Sequence, residues 1–386
     1  MKKMYFLFVT LTVYLSISAQ SPLIIDRTCI DITKIPPAWL EQAKTGLKIA
    51  YQHTSHGSQL VSGMDALASH NPANFAYAKT SWGFQSGVFF NDYGIEGASD
   101  LGHNGDLTWV EATNTLIENS AFDRNVIMWS WCGGCSDNTE AGINAYLNAM
   151  NTLETENTGI TFVYMTGHLD GSGAEGNLNA MNSIIRNYCI TNSKILFDFA
   201  DIESTDPDTL SNYMEMYALD NTQYDSIGNH NPWSGPYWTR NWILNNSDSE
   251  YAEQTAACTN CAHSEDNPES MLNCVMKGRA AWWMFARIAG WDGLLNTENP
   301  EINRKCEVIP NPNKGIFTLN FYTDTESDVC IKVYNAKGSI VRMQHLRALS
   351  PDYHQINIDI RNKNSGMYFY EIKGDSLSLN GKIMKY

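Results

Sequence analysis

Positive charge is scarce in this chain of 386 residues: 26 Lys and Arg face 42 Asp and Glu, for a formal charge of −16. Nucleic acid and anionic membranes recruit clustered basic side chains, so no nucleic-acid partner is expected. Long apolar runs are also missing. The run Met4 to Leu15 is too short to span a bilayer and no other stretch reaches the length needed, so no membrane span is expected in the mature chain. Neither HxH nor HExxH spacing occurs, so a histidine metal site rests only on predicted strand ends, and no cofactor is expected. Tryptophan, eleven residues in all, runs from Trp39 to Trp291 and is absent beyond it. Most of these indoles suit a packed core, and a few suit a groove for sugar rings or other flat apolar surfaces.

What is present begins with an address. Residues 1–19 carry Lys2 and Lys3, then the apolar run, then Ser16, Ser18 and Ala19, the layout of a secretory signal peptide. At the other end, Val308-Ile309-Pro310-Asn311-Pro312-Asn313-Lys314-Gly315 opens a series of alternating strands. These include Ile316-Phe317-Thr318-Leu319 and Cys330-Ile331-Lys332-Val333-Tyr334. Gly366-Met367-Tyr368-Phe369-Tyr370 and Lys382-Ile383-Met384-Lys385-Tyr386 close it. Residues 306–386 resemble the C-terminal sorting domain of the type IX secretion system of Bacteroidetes. That resemblance implies a small antiparallel β-sandwich, the secretion machinery as partner, and a secreted or cell-surface destination.

Between the two lie residues 20–305, roughly 285 residues, a size that one core still serves. Strand-length apolar runs alternate with helical stretches. The strands are Leu47–Tyr51, Gly87–Phe90, Asn125–Ser130, Ile160–Met165 and Lys194–Phe199. The helices are Gly57–Ala68, Ala141–Asn151, Gly176–Cys189 and a last amphipathic one, Met271–Ala289. Continuous apolar strands between helices predict a parallel sheet covered on both faces, a three-layer α/β/α domain. In such sheets chemistry sits in the loops after the strands. Those loops are His53–Gly57, Asn91–Gly97, Trp131–Asn138, Thr166–His168 and Asp198–Glu203, rich in hydroxyl, imidazole and glycine rather than paired carboxylates.

The first block, Ile49-Ala50-Tyr51-Gln52-His53-Thr54-Ser55-His56-Gly57, resembles the opening of the SGNH (GDSL-like) hydrolases, whose flavodoxin-like fold is of this α/β class. The resemblance places Ser55 on the nucleophile, with His53 and Thr54 in place of the usual glycine and aspartate. The alternative is that Thr54 and Ser55 only cap the following helix. Asn91 to Ala98 is similar to the family's Asn-x-Gly-Ile-x-Gly segment with one spacer added, which maps Gly97 onto an oxyanion donor. The third block departs from the family: Trp131-Cys132-Gly133-Gly134-Cys135-Ser136-Asp137-Asn138 lacks the expected asparagine, and Asn138 is the nearest substitute, from a loop reshaped by a Cys132–Cys135 bridge. The late Thr259-Asn260-Cys261-Ala262-His263-Ser264 makes His263 the expected base, oriented by Asn260 or by Asp266.

Nine cysteines in an exported chain read first as disulfide candidates, although the CxxC pairs Cys132/Cys135 and Cys258/Cys261 also suit a four-thiolate zinc site. No connectivity follows from spacing. His168 is a substrate-orienting candidate with His53, or a metal ligand with His53 and Asp198. Trp233 and Trp238, in a loop dense with Trp, Tyr, Pro and Asn, make either a glycan-binding wall or a packed loop. The expected activity is a serine esterase acting on an acylated carbohydrate. The alternatives are a noncatalytic glycan-binding surface protein and a metal-dependent hydrolase.

Overall fold

The computed structural model describes residues 21–79, 88–119, 121–293, 306–323, 327–350, 352–374 and 377–386. The expected signal peptide lies outside them. The chain divides into two compact units at Leu295 and Asn296.

In the first unit, the described strands are β1 (Leu23–Ile25), β2 (Lys48–Gln52), β3 (Tyr77–Ala78), β4 (Val88–Asp92), β5 (Val126–Trp129), β6 (Thr161–Met165) and β7 (Ile195–Phe197). They pair in the order β1-β7-β6-β5-β2-β4-β3, every neighbour parallel. The central strands β2, β5 and β6 are largely apolar and carry no exposed residue, because both faces are covered. The helices are α1 (Pro37–Gly46), α2 (Ser58–His70), α3 (Pro72–Phe75), α4 (Thr108–Glu118), α5 (Glu140–Glu156), α6 (Asn177–Thr191), α7 (Phe199–Glu203), α8 (Trp238–Asn245), α9 (Glu250–Ala257) and α10 (Leu272–Ile288). The expected three-layer α/β architecture is present. Chain direction reverses its lateral walk at β2, with β3 and β4 to one side and β5 to β7 to the other, so β2 and β5 flank the switch point where ligand crevices form.

The last helix departs from expectation. Rather than one apolar stripe, α10 buries nearly every side chain from Leu272 to Ala286, Lys277 and Arg279 included. The cause is its central place, packed by α1, α2 and α9. Its crossing with α2 depends on two glycines: a Cβ on Gly63 would lie 1.9 Å from Cys274 O, and one on Gly278 2.2 Å from Gly63 C. Both obstacles are backbone, which cannot swing away. Gly63→Ala is therefore expected to cost about 1–3 kcal/mol or more through overpacking, and thermal melting should show it as a drop of several degrees. Gly46→Ala, where a Cβ meets nothing within 4 Å, should leave the melting temperature unchanged or slightly raised.

The second unit is antiparallel. Strands β8 (Glu307–Ile309), β9 (Ile316–Thr323) and β12 (Asp352–Asp359) form one sheet. Strands β10 (Ser327–Asn335), β11 (Ile340–Leu349), β13 (Gly366–Lys373) and β14 (Ser378–Lys385) form the other. Alternation buries Phe317, Leu319 and Phe321 from the first against Val329, Ile331 and Val333 from the second, in one shared core.

Candidate active site

The strand β2 delivers Thr54 in extended backbone to a short 3-10 turn, Ser55–Gly57, which leads directly into α2. The turn is tight. A Cβ on Gly57 would meet His53 Cβ and Ser130 Oγ at 2.3 Å, so only glycine lets the chain pass and aim His56 along the strand ends. From the neighbouring β5, Trp131 anchors the next loop by donating its indole N–H to Met165 O at 2.9 Å. Cys132 follows. The third arm comes from far along the chain: Leu219 bridges to Asp170, just beyond β6, and so brings Asp220 to the same edge.

These arms assemble a chain of contacts. Cys132 Sγ lies 3.4 Å from His56 Nδ1, and His56 Nε2 lies 2.7 Å from Asp220 Oδ2. Ser55 Oγ stands 3.3 Å from the same sulfur. The hydrogen bond from His56, with help from the Ser55 hydroxyl, outweighs burial and holds the Cys132 thiol down to about 6. Burial opposes a charge on His56, but Asp220 and then Cys132 overcome it and lift the imidazole to about 9. Burial likewise opposes the Asp220 carboxylate, yet the His56 bond keeps it below its ordinary value. At neutral pH the three groups are therefore thiolate, imidazolium and carboxylate, with His56 donating from both nitrogens.

Two further imidazoles sandwich His56. His168 stacks on it with centroids 3.4 Å apart, and His263 on the other side at 4.0 Å, both rings nearly parallel to it. His168 is held as one neutral tautomer: Nδ1–H donates to Leu169 O at 2.8 Å, while Nε2 accepts from the Gly133 N–H at 3.3 Å. Burial, then the charge on His56, pushes it down to about 3. The same two causes lower His263, whose Nδ1 lies 3.6 Å from Asp220 Oδ2. Only the central ring carries a proton charge, flanked by two neutral π-faces.

Beneath the cluster sits one buried ammonium. Lys277 Nζ on α10 donates to Gln59 Oε1 at 2.7 Å, to Glu203 Oε2 at 2.7 Å and to Asn273 Oδ1 at 2.6 Å. Each acceptor holds one loop of the site. Gln59 donates to Ala262 O beside His263, Glu203 accepts the Leu169 N–H beside His168, and Asn273 donates to Asp220 O. Ser264 adds a second hydrogen bond to Asp220 O at 2.9 Å.

The sequence-derived candidates divide accordingly. Ser55, His168 and His263 come together at the switch point. Ser55 Oγ faces a sulfur rather than an imidazole, and the group beside His263 is the Asp220 carboxylate rather than the Asn260 amide or the Asp266 carboxylate. His53 is buried and bound through Nε2 to Asp92 Oδ1 at 2.7 Å. Asp198 is engaged by Arg186 and Thr166, so His53, His168 and Asp198 each have partners of their own. Gly97, at φ +111, backs onto Ala112 of α4. Asn138 is buried and braces the Cys132 loop by donating to Gly134 O at 2.8 Å. Asn260 O accepts the Cys258 thiol. Asp266 accepts from Tyr237 and from Asn221, the neighbour of Asp220. Trp233 is 72% exposed, whereas Trp238 is fully buried and stacked on Tyr213, a core residue and no part of a substrate wall.

Neither CxxC pair is bridged. The disulfide joins Cys261 to Cys274, tying the His263 turn to α10. Cys132, Cys135 and Cys258 are unbridged, and burial pushes Cys135 up to about 12 while Cys132 is held down to about 6, so the two cysteines of the first motif differ sharply in reactivity. The groups that reading by motif missed are Cys132, His56 and Asp220. Cys132 stands in a strand-end loop that the fold rule had already selected. As a metal seat, His56, Asp220 and His263 present ligand atoms within 4.8 Å of one another.

Comparison with known families adds a decisive observation about destination. Residues 307–386 match the family model described as the secretion system C-terminal sorting domain. The protein is built for export. Its tail is a type IX sorting domain, which directs it to the cell surface or the extracellular space and implies contact with that secretion machinery. Among the described residues no helix is long and apolar enough to cross a membrane. No curated protein matches the chain. A crystal structure of an engineered protein is similar at 10% identity and a TM-score of 0.20, over 86% of this chain and 61% of that one. The chain thus spans about three fifths of that structure's length.

Proposed function

We propose that the exported protein is a thiol-dependent acyl hydrolase with Cys132 as nucleophile, His56 as proton carrier and Asp220 as the group that orients it. The observation that carries this reading is the continuous thiol–imidazole–carboxylate chain with its sulfur held down to about 6. In the first half-reaction the thiolate forms a bond to the acyl carbon, the bond to the leaving oxygen or nitrogen breaks, and His56 Nδ1–H passes its proton to that leaving atom. A water molecule then attacks the thioester and gives its proton to the now neutral His56. The carbon–sulfur bond breaks, and the thiolate–imidazolium pair returns. Ser55 donates to the resting thiolate.

Trp233, 72% exposed and linked through Gln223 to Asn221 beside Asp220, offers a flat apolar face that suits a carbohydrate as carrier of the acyl group. A second reading, serine esterase chemistry at Ser55 with His263, draws support from their common neighbours: Ser55 Oγ lies 3.3 Å from Cys132 Sγ, and His263 stacks on His56.

Paired labelling separates the two. Iodoacetamide, followed by peptide mapping, should modify Cys132 in the folded protein with a rate that rises as pH passes about 6, while Cys135 reacts only on unfolding. A fluorophosphonate should leave Ser55 unmodified. Modification of Ser55 by the fluorophosphonate, together with slow alkylation of Cys132 at neutral pH, would transfer the role to the hydroxyl.

A further inference from the structure

We propose that His56 Nε2, Asp220 Oδ2 and His263 Nδ1 form a zinc site that switches the thiolate chemistry off. The regulatory half of this proposal rests on the reading of Cys132 given above, while the binding half does not. Two imidazoles and one carboxylate are a donor set that suits zinc and leaves a fourth position for water. Tetrahedral zinc, with ligands near 2.0–2.2 Å, sets its donor atoms roughly 3.3–3.5 Å apart.

His263 Nδ1 and Asp220 Oδ2 already stand 3.6 Å apart. His56 Nε2 and Asp220 Oδ2, at 2.7 Å, need only separate by less than an ångström once the shared proton leaves. The rings of His56 and His263 are parallel, so one must turn to aim its lone pair at the ion. His263 is the one free to do so. Its side chain is 42% exposed, while its backbone is fixed by the Cys261–Cys274 disulfide and by the Ser264 N–H donated to Cys261 O.

The two nitrogens of His56 then have opposed duties. Nδ1 faces Cys132, so the sulfur is not a ligand of an ion held at Nε2. Zinc at Nε2 displaces the proton that Asp220 accepts. Donation of Nδ1–H to a leaving group would leave an imidazolate on the metal instead of a neutral imidazole, and the proton transfer that turnover needs is blocked. The bound ion therefore inhibits without touching the nucleophile.

Isothermal titration with zinc sulfate tests binding apart from catalysis. Cys132→Ala protein should bind one zinc ion more per chain than Cys132→Ala/His263→Ala protein, or bind that ion at least about 10-fold more tightly, and cobalt should give tetrahedral absorption bands only in the former. With the wild-type chain, zinc should inhibit hydrolysis of an activated acetyl ester, a chelator should restore it, and His263→Ala should weaken the inhibition. Equal zinc binding by the two variants overturns the site. Hydrolysis that requires zinc instead of yielding to it overturns the switch, and the thiolate reading falls with it. A wild-type chain inert to every ester, yet still showing the extra zinc, would sink the thiolate reading alone.

Discussion

Replacing Cys132 by serine should lower kcat/KM by a factor on the order of 10⁴ or more while leaving the melting temperature within a degree or two. The substitution exchanges one atom in a half-exposed position, so His56, Asp220 and Ser55 keep their places. What it removes is ionisation. A thiol held down to about 6 by His56 is mostly thiolate at neutral pH, whereas a hydroxyl is not, and the weak nucleophile must then lose its proton during attack. Ser55→Ala gives the contrast. It deletes one hydrogen bond to the sulfur and should cost about 10-fold. Steady-state hydrolysis of an activated ester by the two variants decides the matter, since the reverse order of effects would make the hydroxyl the nucleophile and the sulfur its neighbour.

How far the sequence exposed this arrangement depends on what kind of signal each residue leaves. The layered sheet was legible because fully covered parallel strands must be apolar on both faces, as Val126–Trp129 and Thr161–Met165 are. The strand-end rule then pointed to the right loops, including the one that holds Cys132. The residue itself was hidden by its spacing to Cys135. A CxxC pattern in an exported chain suggests a bridge, yet Cys135 packs inward against Asn182 while Cys132 turns to His56. His56 was passed over for the reason that it follows a serine in a block resembling a serine-hydrolase turn. Asp220 left no local trace at all. It lies in a long irregular excursion between α7 and α8, and only tertiary pairing of Leu219 with Asp170 brings it to the site. The tail was the most legible part, because Pro310-Asn311-Pro312-Asn313 opens it and the strands that follow alternate, burying Phe317, Leu319 and Phe321 on one face.

Lys277→Met should damage the protein twice, and the two injuries should separate. The first is to stability. Lys277 and Glu203 are fully buried partners, and methionine fills the volume while leaving the carboxylate without its counter-charge, a loss of about 3–5 kcal/mol. For a unit of this size that corresponds to a melting temperature lowered by roughly 6–20 °C. Adding Glu203→Gln removes the stranded charge and should recover much of the loss. The second injury is to catalysis and should persist in the double variant. Without the ammonium, Gln59 and Asn273 lose the partner that fixes their amides, and those amides hold Ala262 and Asp220 in place. A displacement of Asp220 by about 1 Å would misorient His56 and lower kcat on the order of 10²-fold. KM should change less than kcat, because the arms of the network end on backbone atoms of Ala262, Leu169 and Asp220 and not on the thiol that receives the acyl group. Recovery of both the melting temperature and kcat in Lys277→Met/Glu203→Gln protein would make the buried ammonium a fold element only, with the site's loops held well enough by the Cys261–Cys274 disulfide and the Ser264 hydroxyl.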